Sequence, residues 1–250
     1  MISHRYKVIF IHVPKCAGTS IEHAFAHDEG IQGRGTQDHR TMREIEPVGF
    51  RSLIHAGRDD ARLIFRRLRS RFRQTSNPNN LLTVTRDQYQ SYFKFSIVRN
   101  PYSRAYSWYR AVMRDAIMME DHGLDAPIGF EEFLTRFLGK KGLMRPATWF
   151  LNSFGGKMRL DFVGKFENLS EDFDSISNRL GLGIALPHKL KGSVQDWRAA
   201  YDETTTRIVR NYYREDFETF GYSDQLRSPN DKLEQPQKRK CLATEATVYQ

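Results

Sequence analysis

The sequence predicts an α/β fold: a single domain with a parallel sheet of the phosphate-loop type, flanked by helices. Three observations predict it. Residues 7–13 (KVIFIHV) are a short β-branched apolar run that passes through a small-residue turn into a helical segment. Residues 93–98 (FKFSIV) are a second such run, with Pro101 just beyond it where a helix would start. Residues 161–165 (DFVGK) supply a third strand candidate, again followed by a helical stretch. Short apolar runs suit strands buried on both faces, and strands alternating with helices build parallel sheets.

In chain order, residues 7–13 make the first strand and residues 21–25 (IEHAF) belong to the first helix. Residues 58–73 carry seven arginines with Ile64, Leu68 and Phe72 at four-residue spacing, the pattern of an amphipathic helix with a basic face. Pro101, with its φ already helical, suits the first turn of a helix running through Tyr106 and Trp108 to about Met118. Shorter helices are expected over residues 130–138 and 146–154, and another over 170–180 that stops at Gly181. Asp202 is placed to cap a helix over 203–220, with Ile208, Tyr212 and Phe217 on one side and Gly221 at its end. After Tyr222 the composition turns polar, which predicts a domain over 1–222 and a mobile tail over 223–250.

At 250 residues, 39% hydrophobic and 28% charged, the chain has the size and composition of a globular domain with a sizeable core. Its net charge of +9 favours an anionic partner: a nucleotide, an acidic glycan, nucleic acid or a membrane surface. Charge alone does not choose among these. Only Cys16 and Cys241 are present, so a disulfide framework is not expected and a cysteine zinc site is excluded by count. The start lacks an apolar signal core, and no apolar run reaches the ~18 residues that span a bilayer. A cytoplasmic protein without integral membrane contact is the expectation.

The turn after the first strand is Pro14-Lys15-Cys16-Ala17-Gly18-Thr19-Ser20. Its small residues let backbone N–H groups approach an anion, and the following helix presents its positive end. Thr19 and Ser20 add hydroxyls, and Lys15 adds a point charge. The order differs from the nucleoside triphosphate loop GxxxxGK[ST], in which Lys directly precedes the Ser/Thr. Here Lys15 stands at the front, and no Mg²⁺ site of that type is indicated.

The string PKCAGTS after an apolar strand closely resembles the 5′-phosphosulfate loop of sulfotransferases that use 3′-phosphoadenosine 5′-phosphosulfate (PAPS), where PKTGGTS and PKCAGTS are usual forms. The likeness is strongest to the carbohydrate-type branch, which includes the heparan and chondroitin sulfotransferases. Residues 95–107 (FSIVRNPYSRAYS) resemble the family's 3′-phosphate motif, an Arg at a strand end and a Ser eight residues later, which here are Arg99 and Ser107. A guanidinium binds phosphate as a bidentate fork. Residues 161–169 (DFVGKFENL) resemble the family's DFVGRFENL-type segment. Leu186-Pro187-His188 and the stretch from Tyr201 to Tyr222 also fit, so the resemblance covers roughly residues 7–222.

The resemblance implies PAPS as co-substrate, with 3′-phosphoadenosine 5′-phosphate (PAP) as product and no metal. It implies donor contacts from Pro14 to Ser20 and from Arg99 and Ser107, with Phe166 as an aromatic near the adenine or a core residue. Sulfuryl transfer needs a base for the acceptor hydroxyl and a clamp for the developing leaving-group charge. Lys15 with the loop amides would be the clamp. Residues 38–44 (DHRTMRE) resemble the base-bearing KHAT-xx-E segment of the branch, which implicates His39, with an activity limb near pH 6 unless neighbouring arginines depress its pKa and move the limb lower. His12 and His188 are the competing imidazoles, and Glu44 would either orient the base or cap a helix. The implied partner is a hydroxyl acceptor, a glycan or other small molecule, and not nucleic acid. Two alternatives remain at this point: a kinase-like phosphotransferase using ATP and Mg²⁺, and a basic nucleic-acid-binding protein using residues 58–73.

Overall fold

The computed structural model describes residues 1–31, 33–49, 75–140, 142–186 and 196–226. The arginine-rich stretch 58–73, His188, and the expected tail from residue 227 onward lie outside the described residues. Among the described residues the sheet has four strands in the order β1-β2-β3-β4, with β1 at Ile2–Ser3, β2 at Val8–Ile11, β3 at Phe93–Val98 and β4 at Phe162–Lys165. Strands β2, β3 and β4 run parallel, in register Ile11↔Ser96 and Val98↔Lys165. The sheet is not wholly parallel: β1 pairs antiparallel with β2, Ile2 against Ile9. A direct turn between neighbouring strands can only make an antiparallel pair, whereas parallel strands need a crossover. Lys7, at φ 52°, takes the left-handed conformation at the end of that turn.

Ten helices flank the sheet among the described residues. Helix α1 (Gly18–Ala24) follows β2, and α2 (Met42–Ile45) and α3 (Arg86–Ser91) precede β3. After β3 come α4 (Pro101–Met113), α5 (Ala116–Asp121), α6 (Phe130–Phe137) and α7 (Ala147–Leu151). After β4 come α8 (Leu169–Arg179), α9 (Glu203–Tyr212) and α10 (Arg214–Phe220). Two expected helices are divided. The one starting at Pro101 ends at Met113, because Asp115 accepts the amides of Ile117 and Met118 and so caps a new helix. The one starting at Glu203 breaks at Tyr213, whose hydroxyl donates to the carbonyl of Met144 and draws the ring inward.

The core lies on both sides of β2 and β3. Ile9, Ile11 and Ile97 are fully buried, and Phe10, Phe25, Phe95 and Phe173 form an aromatic cluster with ring separations of 5.0–6.0 Å. Burying each such side chain contributes about 1.5–3 kcal/mol. Packing on both faces holds the C-terminal ends of β2 and β3 at one edge of the sheet. Open α/β sheets bind ligands at that edge. No helix among the described residues is long and apolar enough to cross a membrane.

Candidate active site

The turn between β2 and α1 departs from ordinary backbone. Lys15 and Ala17 have φ of 66° and 65°, the left-handed region that costs non-glycine residues about 1–2 kcal/mol each. Alternating left- and right-handed residues turn successive N–H groups toward one concavity, an anion-binding nest. Among the described residues, the amides of Lys15, Cys16, Ala17, Gly18 and Thr19 donate to no acceptor within the chain, and the first paired amide is Ser20, on the carbonyl of Ala17. Strain with unpaired donors at one turn is what an anion site requires.

The loop is held from β3 and α4. The Arg99 guanidinium donates to the Lys15 carbonyl at 3.2 Å and to the Ser103 hydroxyl at 2.8 Å, and it lies 4.1 Å above the Phe166 ring. Arg104 donates to the Pro14 carbonyl at 3.0 Å and ties it to the carbonyl of Arg145 at 2.9 Å, while Asp216 stands 3.8 Å away. Sequence reasoning missed Ser103, Arg104 and Glu167. Ser103 and Arg104 share the string that carries Arg99, four and five residues on, but nothing local marks them as loop supports. Glu167 accepts the Asn100 amide and the Tyr222 hydroxyl, both at 2.8 Å, and so pins the start of α4.

Lys15 and Arg99 are therefore brought together. Burial, and after it the Arg99 charge, pushes the Lys15 pKa below its ordinary value. Burial likewise lowers that of Arg99. Two partly buried cations beside unpaired amides make an electrostatic site for a dianionic group. Cys16 is buried, with its thiol pushed up to about 12 by that burial and its Sγ atom on the Pro14 carbonyl, so it packs as a neutral thiol. Thr19 is exposed at the loop and Ser20 is buried. Ser107 does not meet Arg99 directly; Ser103 does, and Ser107 follows one turn later on the same face of α4, half-buried. Phe166 packs against the core and also carries the Arg99 guanidinium on its face.

His12 lies against the loop, and His39 lies against His12. The His12 Nδ1 atom lies 2.9 Å from the Glu22 carboxylate on α1, and both residues are buried. The other edge of the ring covers Gly18 so closely that a Cβ there would sit 2.0 Å from Nε2. His39 packs on the His12 ring at 4.2 Å between centroids, and its Nδ1 atom is buried with no hydrogen-bond partner among the described residues. Asp38 anchors this segment. It is buried, ion-paired with Arg40 at 2.6 Å and with the Met1 ammonium at 3.1 Å, and these partners outweigh burial to hold its carboxyl well below the usual range. Glu44 accepts both the amide and the hydroxyl of Thr41, so it closes the first turn of α2. Burial, then the charge of His12, lowers the His39 pKa to about 3, well below that of an unperturbed imidazole.

A cavity of about 620 Å³ between α9 and α10, lined by Arg210, Arg214, Phe217 and Tyr222, contains none of the loop residues. The donor-type chemistry is concentrated at the ends of β2 and β3.

A mostly parallel α/β sheet with a strained loop of unpaired amides and two cations at its strand ends has the form of a phosphate-loop, anion-binding α/β protein. The model of the sulfotransferase family matches residues 1–223, and the chain belongs to that family. It is a sulfotransferase, PAPS-dependent by family membership. No curated protein and no solved structure matches the chain significantly.

Proposed function

We propose that the protein transfers the sulfuryl group of PAPS to a hydroxyl of a carbohydrate acceptor without a metal ion. The carrying observation is the meeting of Lys15, Arg99 and the unpaired amides of residues 15–19 at the ends of β2 and β3. In this reading the loop from Pro14 to Ser20 holds the 5′-phosphosulfate, and Arg99 with Ser107 holds the 3′-phosphate. The acceptor oxygen attacks sulfur, the bond from sulfur to the phosphate oxygen breaks, and the proton passes to His39. Negative charge that develops on the departing phosphate is stabilised by Lys15 and the amides. A neutral imidazole packed on the His12 ring, which itself covers Gly18 of the loop, supports His39 as the acceptor of that proton. The carbohydrate acceptor rests on the likeness of residues 38–44 to the branch that acts on glycans. Nucleic acid and integral membrane contacts have no place in this reading.

Calorimetry in the presence of a chelator tests the donor site. PAP should bind, and more tightly than ADP, because only PAP carries a 3′-phosphate for Arg99. Equal affinity for the two, or a strict Mg²⁺ requirement, refutes the assignment. Labelled PAPS offered with a panel of desulfated glycans and small alcohols tests the acceptor class; label on the alcohols alone refutes a carbohydrate.

A further inference from the structure

The buried carboxylate of Glu22 has no part in the donor site, yet it meets both elements of the acceptor side. It lies in α1, 2% exposed, and its Oε1 atom takes the His12 imidazole at 2.9 Å and the backbone amide of Asp38 at 3.1 Å. Asp38 directly precedes His39, and the His12 ring packs on the His39 ring at 4.2 Å. The same His12 ring rests on Gly18 of the loop. A single oxygen thus joins the helix that follows the loop, the end of β2 and the chain segment that carries His39. The loop itself has other supports, Arg99 on the Lys15 carbonyl and Arg104 on the Pro14 carbonyl.

We propose that Glu22 and His12 are positioning residues for His39: Glu22 holds the His12 ring as a wall and the Asp38 amide as an anchor, and so fixes the imidazole of His39 beside the Gly18 loop. A carboxylate that orients an imidazole by its Nδ1 atom fixes which ring nitrogen carries the proton. Here it does so one residue removed, since the oriented ring is the surface on which the reacting one is stacked. The buried setting that Glu22 maintains also governs when His39 charges. The groups acting on His39 are His12 just past β2, Glu22 from α1, and Asp38 from its own segment, with Arg40 and the Met1 ammonium paired to Asp38. Burial, joined by the His12 charge, outweighs the carboxylates of Glu22 and Asp38 and keeps His39 neutral at ordinary pH.

The inference rests on the reading of His39 as the base, and the experiment separates the two. Proton NMR of the imidazole Cε1–H follows His39 from pH 5 to 8 in the full chain, with the resonance assigned from its loss in His39→Ala. In the wild type it should not titrate in that window. In Glu22→Ala, which frees the Asp38 amide and the His12 ring, His39 should gain solvent and titrate inside that window, its midpoint rising by more than two pH units even though the Glu22 charge that favours the imidazolium is gone. Glu22→Gln keeps an oxygen for both donors and should leave His39 silent. His12→Asn retains an amide donor for Glu22 but removes the wall, so His39 should titrate again; this variant also serves if Glu22→Ala does not fold. PAP affinity by calorimetry should stay within about threefold of wild type in every variant, because the loop's other supports remain. A His39 that stays silent in folded Glu22→Ala or in His12→Asn overturns the proposal, as does PAP affinity falling tenfold or more. Failure of the base reading appears elsewhere, as wild-type turnover of PAPS to PAP in His39→Ala.

Discussion

Gly18→Ala should be among the most damaging single-methyl additions in this protein. The added Cβ would stand 1.9 Å from Cδ2, 2.0 Å from Nε2 and 2.4 Å from Cγ of His12, separations that no packed side chain tolerates. The ring has nowhere to go. Its Nδ1 atom is held by Glu22, one face is against His39 and another side is against Phe10. Relief requires breaking the bond to Glu22 inside the protein. Overpacking costs about 1–3 kcal/mol, and loss of a buried hydrogen bond to a charged group about 1.5–3 kcal/mol more. Alanine returns about 1 kcal/mol of helix propensity, so the net loss is about 2–5 kcal/mol. For a domain of this size that lowers Tm by roughly 4–20 °C. Urea unfolding monitored by tryptophan fluorescence and circular dichroism measures the free energy. The same substitution in a His12→Ala background should cost little, since the ring that clashes is gone. Gly18→Ala within 0.5 kcal/mol of wild type (about the scatter of surface substitutions), or an undiminished cost in the double variant, would refute the packing argument.

Further expectations follow from the loop and its neighbours. Arg99→Ala should weaken PAP binding on the order of 10²-fold by calorimetry, through loss of a charged partner and of the Lys15 carbonyl bond. Lys15→Ala should lower kcat more than it weakens donor binding, since its charge acts on the leaving group; a change in donor KM alone would contradict that role. Ala17→Gly should be neutral or stabilise by up to about 1 kcal/mol, because φ 65° costs alanine more than glycine loses in chain entropy. His39→Ala should cut kcat by roughly 10²–10⁴ with donor binding intact, and the wild-type rate should hold flat well below pH 6 as far as His39 governs it. The sign for stability runs the other way. The folded pKa of about 3 lies below the unfolded value, so below pH ~6.5 the unfolded chain binds the extra proton. Acid should therefore destabilise by up to about 1.4 kcal/mol per pH unit from this group, and His39→Gln should flatten that slope in urea titrations.

The central strands are legible in the sequence because β2 is apolar throughout and β3 keeps four apolar residues of six, as strands buried on both faces require. The sequence by itself also determined the family, since the loop motif and the segment around Arg99 are contiguous strings whose chemistry depends on local order. Helix ends were less legible. The break at Asp115 is written in a capping residue, but α4 and α5 are both compatible with one continuous pattern until tertiary packing chooses. Strand β1 has two residues, too short for any periodicity, and only its pairing with Val8 and Ile9 makes it a strand. The site divides in the same way. Lys15, Gly18 and Arg99 were visible because a phosphate loop needs small residues and cations at set spacing. The Glu22 contacts with His12 and Asp38 span ten and sixteen residues, and Arg104 reaches Pro14 across ninety. No periodicity encodes such pairs. Tertiary structure alone decided them, because the sheet brings the ends of β2 and β3 side by side and buries their charges, and a buried charge must find its partner wherever the fold has placed it.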